Sequence, residues 1–210
     1  MRKRAHRDLP GKERVKALYY IGIDLGTSSV KLLLVDETGT VRNTVSKSYP
    51  LYFPLPGWAE QEPKDWWKAC LSGLAELIRD TDASRIAGIG VGGQMHGLVA
   101  LDEKDAVIRP AILWNDGRTA NIAFAGFTAP KLLWMKKHEP DNYARIAKIM
   151  LPKDYSSYRL TGVHACDYSD ASGKSKNLSA PPIGPFRRAL TSFFASGGAI
   201  GGQKTKKLQS

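Results

Sequence analysis

The chain has 210 residues, 42% of them hydrophobic and 24% charged, which suits one domain with a core and flanking segments. No apolar run approaches the roughly 18 residues of a membrane span, and Cys70 and Cys166, far apart, give neither a disulfide framework nor a zinc pattern. The net charge of +11 suggests nucleic acid only until it is located: residues 1–17 hold +5, residues 174–210 hold +7, and residues 18–173 balance at −1.

Residues 1–17 lack the apolar stretch of a secretory signal, and Asp8, Pro10 and Glu13 interrupt any basic amphipathic helix. They read as a basic disordered leader, and the chain as cytoplasmic, with no nucleic-acid or membrane partner. The first ordered element is an apolar run from Leu18 to Leu25, followed after Gly26-Thr27-Ser28 by a second from Val30 to Val35. Asp36-Glu37-Thr38-Gly39 is a turn, and Thr40 to Tyr49 alternates as a third strand. Connections this short require antiparallel neighbours, so the chain opens with a three-stranded meander.

After a Pro/Gly loop from Pro54 to Gly57, Pro63 and Asp65 mark the first turn of a helix, and Trp67, Leu71, Leu74 and Ile78 are its expected buried stripe. Ile86 to Val91 is expected as the fourth strand and Leu98 to Leu101 as a fifth. Beyond Arg118 the pattern is helical: a segment from Pro130, a second through Tyr143, Ile146 and Ile149, and a short one from Tyr155 to Leu160. From Lys174 the chain turns Ser/Gly/Pro/Lys-rich without periodicity and reads as a disordered basic tail. Three strands, a helix and another strand predict an α/β domain of the actin-like, ribonuclease-H-like type.

Two segments carry chemistry. In Asp24-Leu25-Gly26-Thr27-Ser28, a glycine-containing bend between strands lets N–H groups and hydroxyls converge on phosphate oxygens, and a strand-end aspartate can hold Mg²⁺. The same residues also suit an ordinary hairpin turn. His96 in Gln94-Met95-His96 is either a satisfied loop histidine or a ligand for a hydroxyl. Gly88-Ile-Gly90-Val-Gly-Gly93 has dinucleotide-binding spacing, but a short loop and a strand follow where a helix would be needed. Ser172-Gly-Lys-Ser175 echoes a P-loop, but Tyr168 stands at the first glycine position.

Tyr20-Ile-Gly-Ile-Asp-Leu-Gly-Thr-Ser-Ser-Val-Lys31 resembles the first phosphate-binding hairpin of the FGGY carbohydrate kinases. Gly93-Gln-Met-His-Gly97, Ile112-Leu-Trp-Asn-Asp-Gly-Arg118, Gly126-Phe-Thr-Ala-Pro-Lys-Leu-Leu-Trp134, His138-Glu-Pro140, Leu151-Pro-Lys-Asp-Tyr155 and Ser169-Asp-Ala-Ser-Gly173 are similar, in order, to segments of that family's xylulokinase branch. The resemblance covers residues 18–173. It implies an N-terminal sugar kinase domain that phosphorylates D-xylulose to D-xylulose 5-phosphate with ATP and Mg²⁺, and a homodimer is possible in the full-length family. By the same resemblance Asp24 belongs at the metal–phosphate site, with Gly26, Thr27 and Ser28 beside the phosphates. Met95 and His96 lie against the sugar, and Trp114, Asn115, Asp116 and Arg118 in or near the same cleft. A polyol requires such a mixture of donors and acceptors.

Two departures from the family follow. Arg118-Thr-Ala120 abuts Asn121-Ile-Ala-Phe124, where a largely helical segment is expected, so an internal piece is missing at Ala120–Asn121. The family's second domain, with its catalytic aspartate, has no counterpart after Lys174, so the chain reads as a catalytically incomplete fragment with no catalytic residue of its own. A non-catalytic sugar-binding remnant, and a kinase of another pentose, polyol or glycerol, are the alternatives.

Overall fold

The computed structural model describes residues 18–121, 126–166 and 170. The expected leader, the whole expected tail and most of Ser169–Gly173 lie outside them. The opening meander is present: β1 (Tyr19–Leu25), β2 (Ser29–Asp36) and β3 (Val41–Ser48) pair antiparallel, with Ile21 opposite Leu34 and Ile23 opposite Leu32. Alternation explains the layer beneath. Ile21, Ile23 and Leu25 of β1 and Val30, Leu32 and Leu34 of β2 point to one face and are buried. In β3 only Val45 is buried, and its exposed Arg42 and half-exposed Lys47 give this edge strand a charged margin.

A short strand, β4 (Glu60–Gln61), leads into α1 (Pro63–Leu77), which covers the buried face of β2 and β3. The buried stripe of α1 is Trp66, Ala69, Cys70, Gly73, Leu74 and Leu77, so Trp67, Leu71 and Ile78 flank the core instead of filling it. Small residues decide the rotation of the helix. A Cβ on Gly73 would lie 2.5 Å from Leu32 Cδ1, so this face can approach the sheet as no bulkier one could. Trp67 stacks instead under the Arg159 guanidinium at 4.8 Å.

Cys70 is fully buried on that stripe, and burial pushes its thiol up to about 12. Cys70 is therefore expected to resist iodoacetamide in the native chain and to be alkylated fully in urea, as read by peptide mass. Rapid native labelling would contradict the packing of α1.

The chain then runs into β5 (Ile86–Gly93), which pairs parallel with β1, and the sheet order is β3-β2-β1-β5. β6 (Val99–Leu101) and β7 (Ala111–Ile112) follow; β7 pairs with β4. Next are α2 (Thr128–His138), α3 (Pro140–Ala144), β8 (Lys148–Met150) and α4 (Pro152–Thr161). The expected helix through Tyr143, Ile146 and Ile149 divides: α3 ends at Ala144, and Ile149 lies in β8, paired with Ala100 of β6. The three-residue spacing of those side chains spans two elements that face one satellite core of Leu98, Ala100, Ile112 and Met135. No helix among the described residues is long and apolar enough to cross a membrane.

Candidate functional site

The parallel pairing of β1 with β5 sets the two chemistry-bearing segments at one end of the sheet. Leu25 stands opposite Gly93, and the ladder continues one step further, with the Gln94 N–H donating to the Leu25 carbonyl at 2.7 Å. The bend after β1 and the loop after β5 therefore leave the same edge side by side. Gly93 makes this possible: its φ is +141°, and a Cβ there would lie 2.5 Å from the Leu25 carbonyl oxygen. No helix follows β5, so the glycine spacing of residues 88–93 serves strand packing and no dinucleotide turn.

The bend is tight. Gly26 N–H donates to the Ser29 carbonyl at 3.0 Å, and a Cβ on Gly26 would lie 3.0 Å from that same oxygen. Tyr49 clamps it from below: its N–H donates to the Ser28 carbonyl at 3.2 Å and its hydroxyl to the Gly26 carbonyl. Burial, and secondarily the charge of Asp24, hold the Tyr49 phenol well above its usual range, so it stays a donor. The N–H groups of Thr27 and Ser28 have no partner among the described residues. Asp24 and Ser28 are exposed, while Gly26 and Thr27 are half-buried.

Across from the bend, the Trp114 indole N–H donates to Thr27 Oγ1 at 3.1 Å, tying the loop after β7 to the phosphate-type turn. Trp114 and Asn115 are exposed, as is Met95. His96 is held at φ +62°, a conformation a side chain adopts only when its surroundings impose it, and its ring lies 4.6 Å from that of Phe127. Asp24 at the end of β1, Gly26, Thr27 and Ser28 in the bend, and Met95 and His96 after β5 thus lie at one end of the four-stranded sheet, with Trp114 and its neighbour Asn115 joined to them through Thr27.

Asp116 and Arg118 occupy a different environment. Both side chains are buried, 0% and 1% exposed. Asp116 accepts from the Ala59 N–H at 2.6 Å and from Arg118 Nε at 2.8 Å. Arg118 reaches Glu60 at 2.5 Å, and Arg109 joins Glu60 and Glu139. The Arg118 guanidinium lies 3.7 Å from the Trp58 ring centroid and 4.8 Å from that of Trp134, in the corner these two edge-to-face indoles form. Only its Nη1 lacks an acceptor among the described residues. This network fastens the Trp114–Asn115 turn to β4, and its chemistry is that of a scaffold.

Sequence reasoning missed Gln61, Glu60, Arg109, Trp58 and Trp134. The usable signal is Trp58-Ala-Glu-Gln61 directly before a helix: two polar residues on a two-residue strand, both buried. Gln61 is fully buried, with its amide N–H₂ on the Thr27 and Pro50 carbonyls at 2.7 and 3.1 Å, and its oxygen accepting from the Trp66 indole at 3.0 Å. It thereby links the phosphate-type bend to α1.

A family model for the N-terminal domain of the FGGY family of carbohydrate kinases matches residues 19–125 and 121–177. The xylulose kinase of Escherichia coli K12 is 43% identical over 172 residues, covering 73% of this chain and 36% of the relative. That of Bacillus subtilis 168 is 46% identical over 176 residues, covering 74% and 35%. The crystal structure of a xyloylose kinase from Brucella ovis superposes with a TM-score of 0.70 at 44% identity, covering 74% of this chain and 37% of that one. The chain therefore spans about a third of the length of the curated relatives it matches, and it belongs to the FGGY family of carbohydrate kinases, through that family's N-terminal domain.

Proposed function

We propose that this chain provides the sugar- and phosphate-binding wall of a kinase that converts D-xylulose to D-xylulose 5-phosphate, with ATP as donor and Mg²⁺ as its counter-ion. The observation that carries the reading is the shared sheet edge, where the bend after Leu25 and the loop after Gly93 leave adjacent parallel strands. The donor set fits a phosphate group: free N–H groups at Thr27 and Ser28, the hydroxyl of Ser28, and no side chain at Gly26. One exposed carboxylate, Asp24, fits a cation that keeps most of its waters and phosphate ligands. When bound, the metal–nucleotide supplies the transferable phosphoryl group and neutralises its charge.

In this reading Asp24 holds the cation directly or through water, and Gly26, Thr27 and Ser28 border the phosphates. Met95, His96, Trp114 and Asn115 contact the sugar, with His96 and Asn115 supplying hydrogen-bond partners and Trp114 a wall. Asp116 and Arg118 hold the turn that presents Trp114 and Asn115, and only Arg118 Nη1 is left for a ligand. A cytoplasmic location and a dimer of the full-length protein complete the proposal. So does loss of an internal segment at Ala120–Asn121. Its support is a family match in two pieces, 19–125 and 121–177, that meet at this point.

A second reading, sugar binding without turnover by these 210 residues alone, is favoured by the 36% of the Escherichia coli relative that the chain spans. Calorimetric titration with D-xylulose is expected to give saturable heat, and a coupled ADP-release assay no rate above background. Absence of saturable heat with D-xylulose, together with saturable heat from another polyol, would overturn the substrate assignment. ADP release above background would overturn the second reading in favour of the complete reaction.

A further inference from the structure

The buried amides behind the site fix the direction of one polar atom. Gln61 donates to two carbonyls, at Thr27 and Pro50, that can only accept, and accepts from the Trp66 indole, which can only donate. The identity of its amide oxygen is therefore determined by chemistry alone. That oxygen lies 3.1 Å from the side-chain amide of Gln94, so Gln94 must present its N–H₂ there. A reversed Gln94 would set two acceptors against each other.

The consequence falls on Gln94 Oε1. Gln94 is 9% exposed, and its amide oxygen is buried without a donor among the described residues. An unmatched buried amide oxygen is destabilising, and methionine would fill the same length without one. The residue is hung by its own N–H from Leu25, where the phosphate-type bend begins, and immediately precedes Met95 and His96. What this acceptor needs is a hydroxyl donor, which a polyol carries in quantity.

Resting on the function proposed above, we infer that Gln94 Oε1 is a specificity-determining acceptor for one hydroxyl of the bound sugar, held in register by Gln61. The site selects ligands with a hydroxyl at that position and discriminates against analogues lacking it.

Thermal unfolding of the full chain, with and without D-xylulose and its monodeoxy analogues, tests this in the wild type and in Gln94→Met. Without sugar, Gln94→Met is expected to unfold at the wild-type midpoint or above it, because Gln61 keeps its Trp66 donor. With sugar, its affinity for D-xylulose is expected to fall roughly tenfold, the effect of one net hydrogen bond. In the wild type, a single monodeoxy analogue should show the same tenfold loss and bind the variant no worse. A lowered midpoint for the sugar-free variant would show that the Gln94 amide is a stabilising brace and would overturn the inference. So would equal D-xylulose affinity in both proteins, or an equal penalty for every deoxy position. A wild type whose midpoint no polyol shifts would instead overturn the proposed function, and the inference with it.

Discussion

Replacing Gly93 by alanine is expected to lower the thermal midpoint of the domain by roughly 10 °C or more, whereas Gly90→Ala, in the same strand, should leave the midpoint within a few degrees of wild type. The contrast lies in what each Cβ would meet. At Gly90 nothing stands within 4 Å, but at Gly93 the new carbon would lie 2.5 Å from the Leu25 carbonyl oxygen and 2.7 Å from its N and Cβ. Backbone at φ +141° is also closed to side chains, which adds about 1–3 kcal/mol, and the forced separation of packed strands adds a further 1–3 kcal/mol or so. Together these come to about 2–6 kcal/mol, a large part of the roughly 5–15 kcal/mol that holds an ordinary domain. Circular dichroism melts of both variants decide the matter. A Gly93→Ala midpoint near that of wild type would mean that β1 and β5 do not adjoin at Leu25.

Arg118→Ala is expected to cost about 3–5 kcal/mol in urea unfolding, and Arg118→Lys to restore little of it. The alanine leaves Asp116, whose side chain is fully buried, with two backbone N–H groups, of residues 59 and 118, and no cation, and it deprives Glu60 of one of its two arginines. Lysine cannot reproduce the fork that reaches Asp116 and Glu60 at once, nor the flat group set against Trp58 and Trp134. A variant that kept wild-type stability but lost sugar affinity would return Arg118 to the role the sequence alone implied.

What could be read from the sequence divides along chain separation. The bend at Gly26-Thr27-Ser28 and the loop at Met95-His96 are local motifs, and each carries its chemistry in consecutive residues. Their adjacency did not follow from the meander, whose short connections say nothing of β5; only the resemblance implied a common cleft. The scaffold around Arg118 did not follow, because its partners at Glu60 and Trp58 are brought near only by the pairing of β4 with β7. Arg118 and Asp116 are polar residues in a motif, and nothing local distinguishes a ligand contact from a buried brace. The stripe of α1 was misread for a related reason: Trp67 and Leu71 are the larger apolar residues, but Cys70 and Gly73 allow the closer approach to Leu32. Ile149 continued a helical spacing, and its strand identity depends on a partner in β6.

The parallel register of β1 with β5 also bears on the order in which the chain matures. β1, β2 and β3 are joined by turns and can zip together on the microsecond scale of hairpins as they emerge from synthesis. β5 arrives only after α1 has been made, and Tyr19 must then capture Ile86 across the whole intervening segment, an entropically expensive closure. The turn suited to phosphate thus exists early, while its companion loop is anchored late. The two loops can share a ligand only after β5 has docked, and until then the outer edge of β1 stands open to any other passing strand.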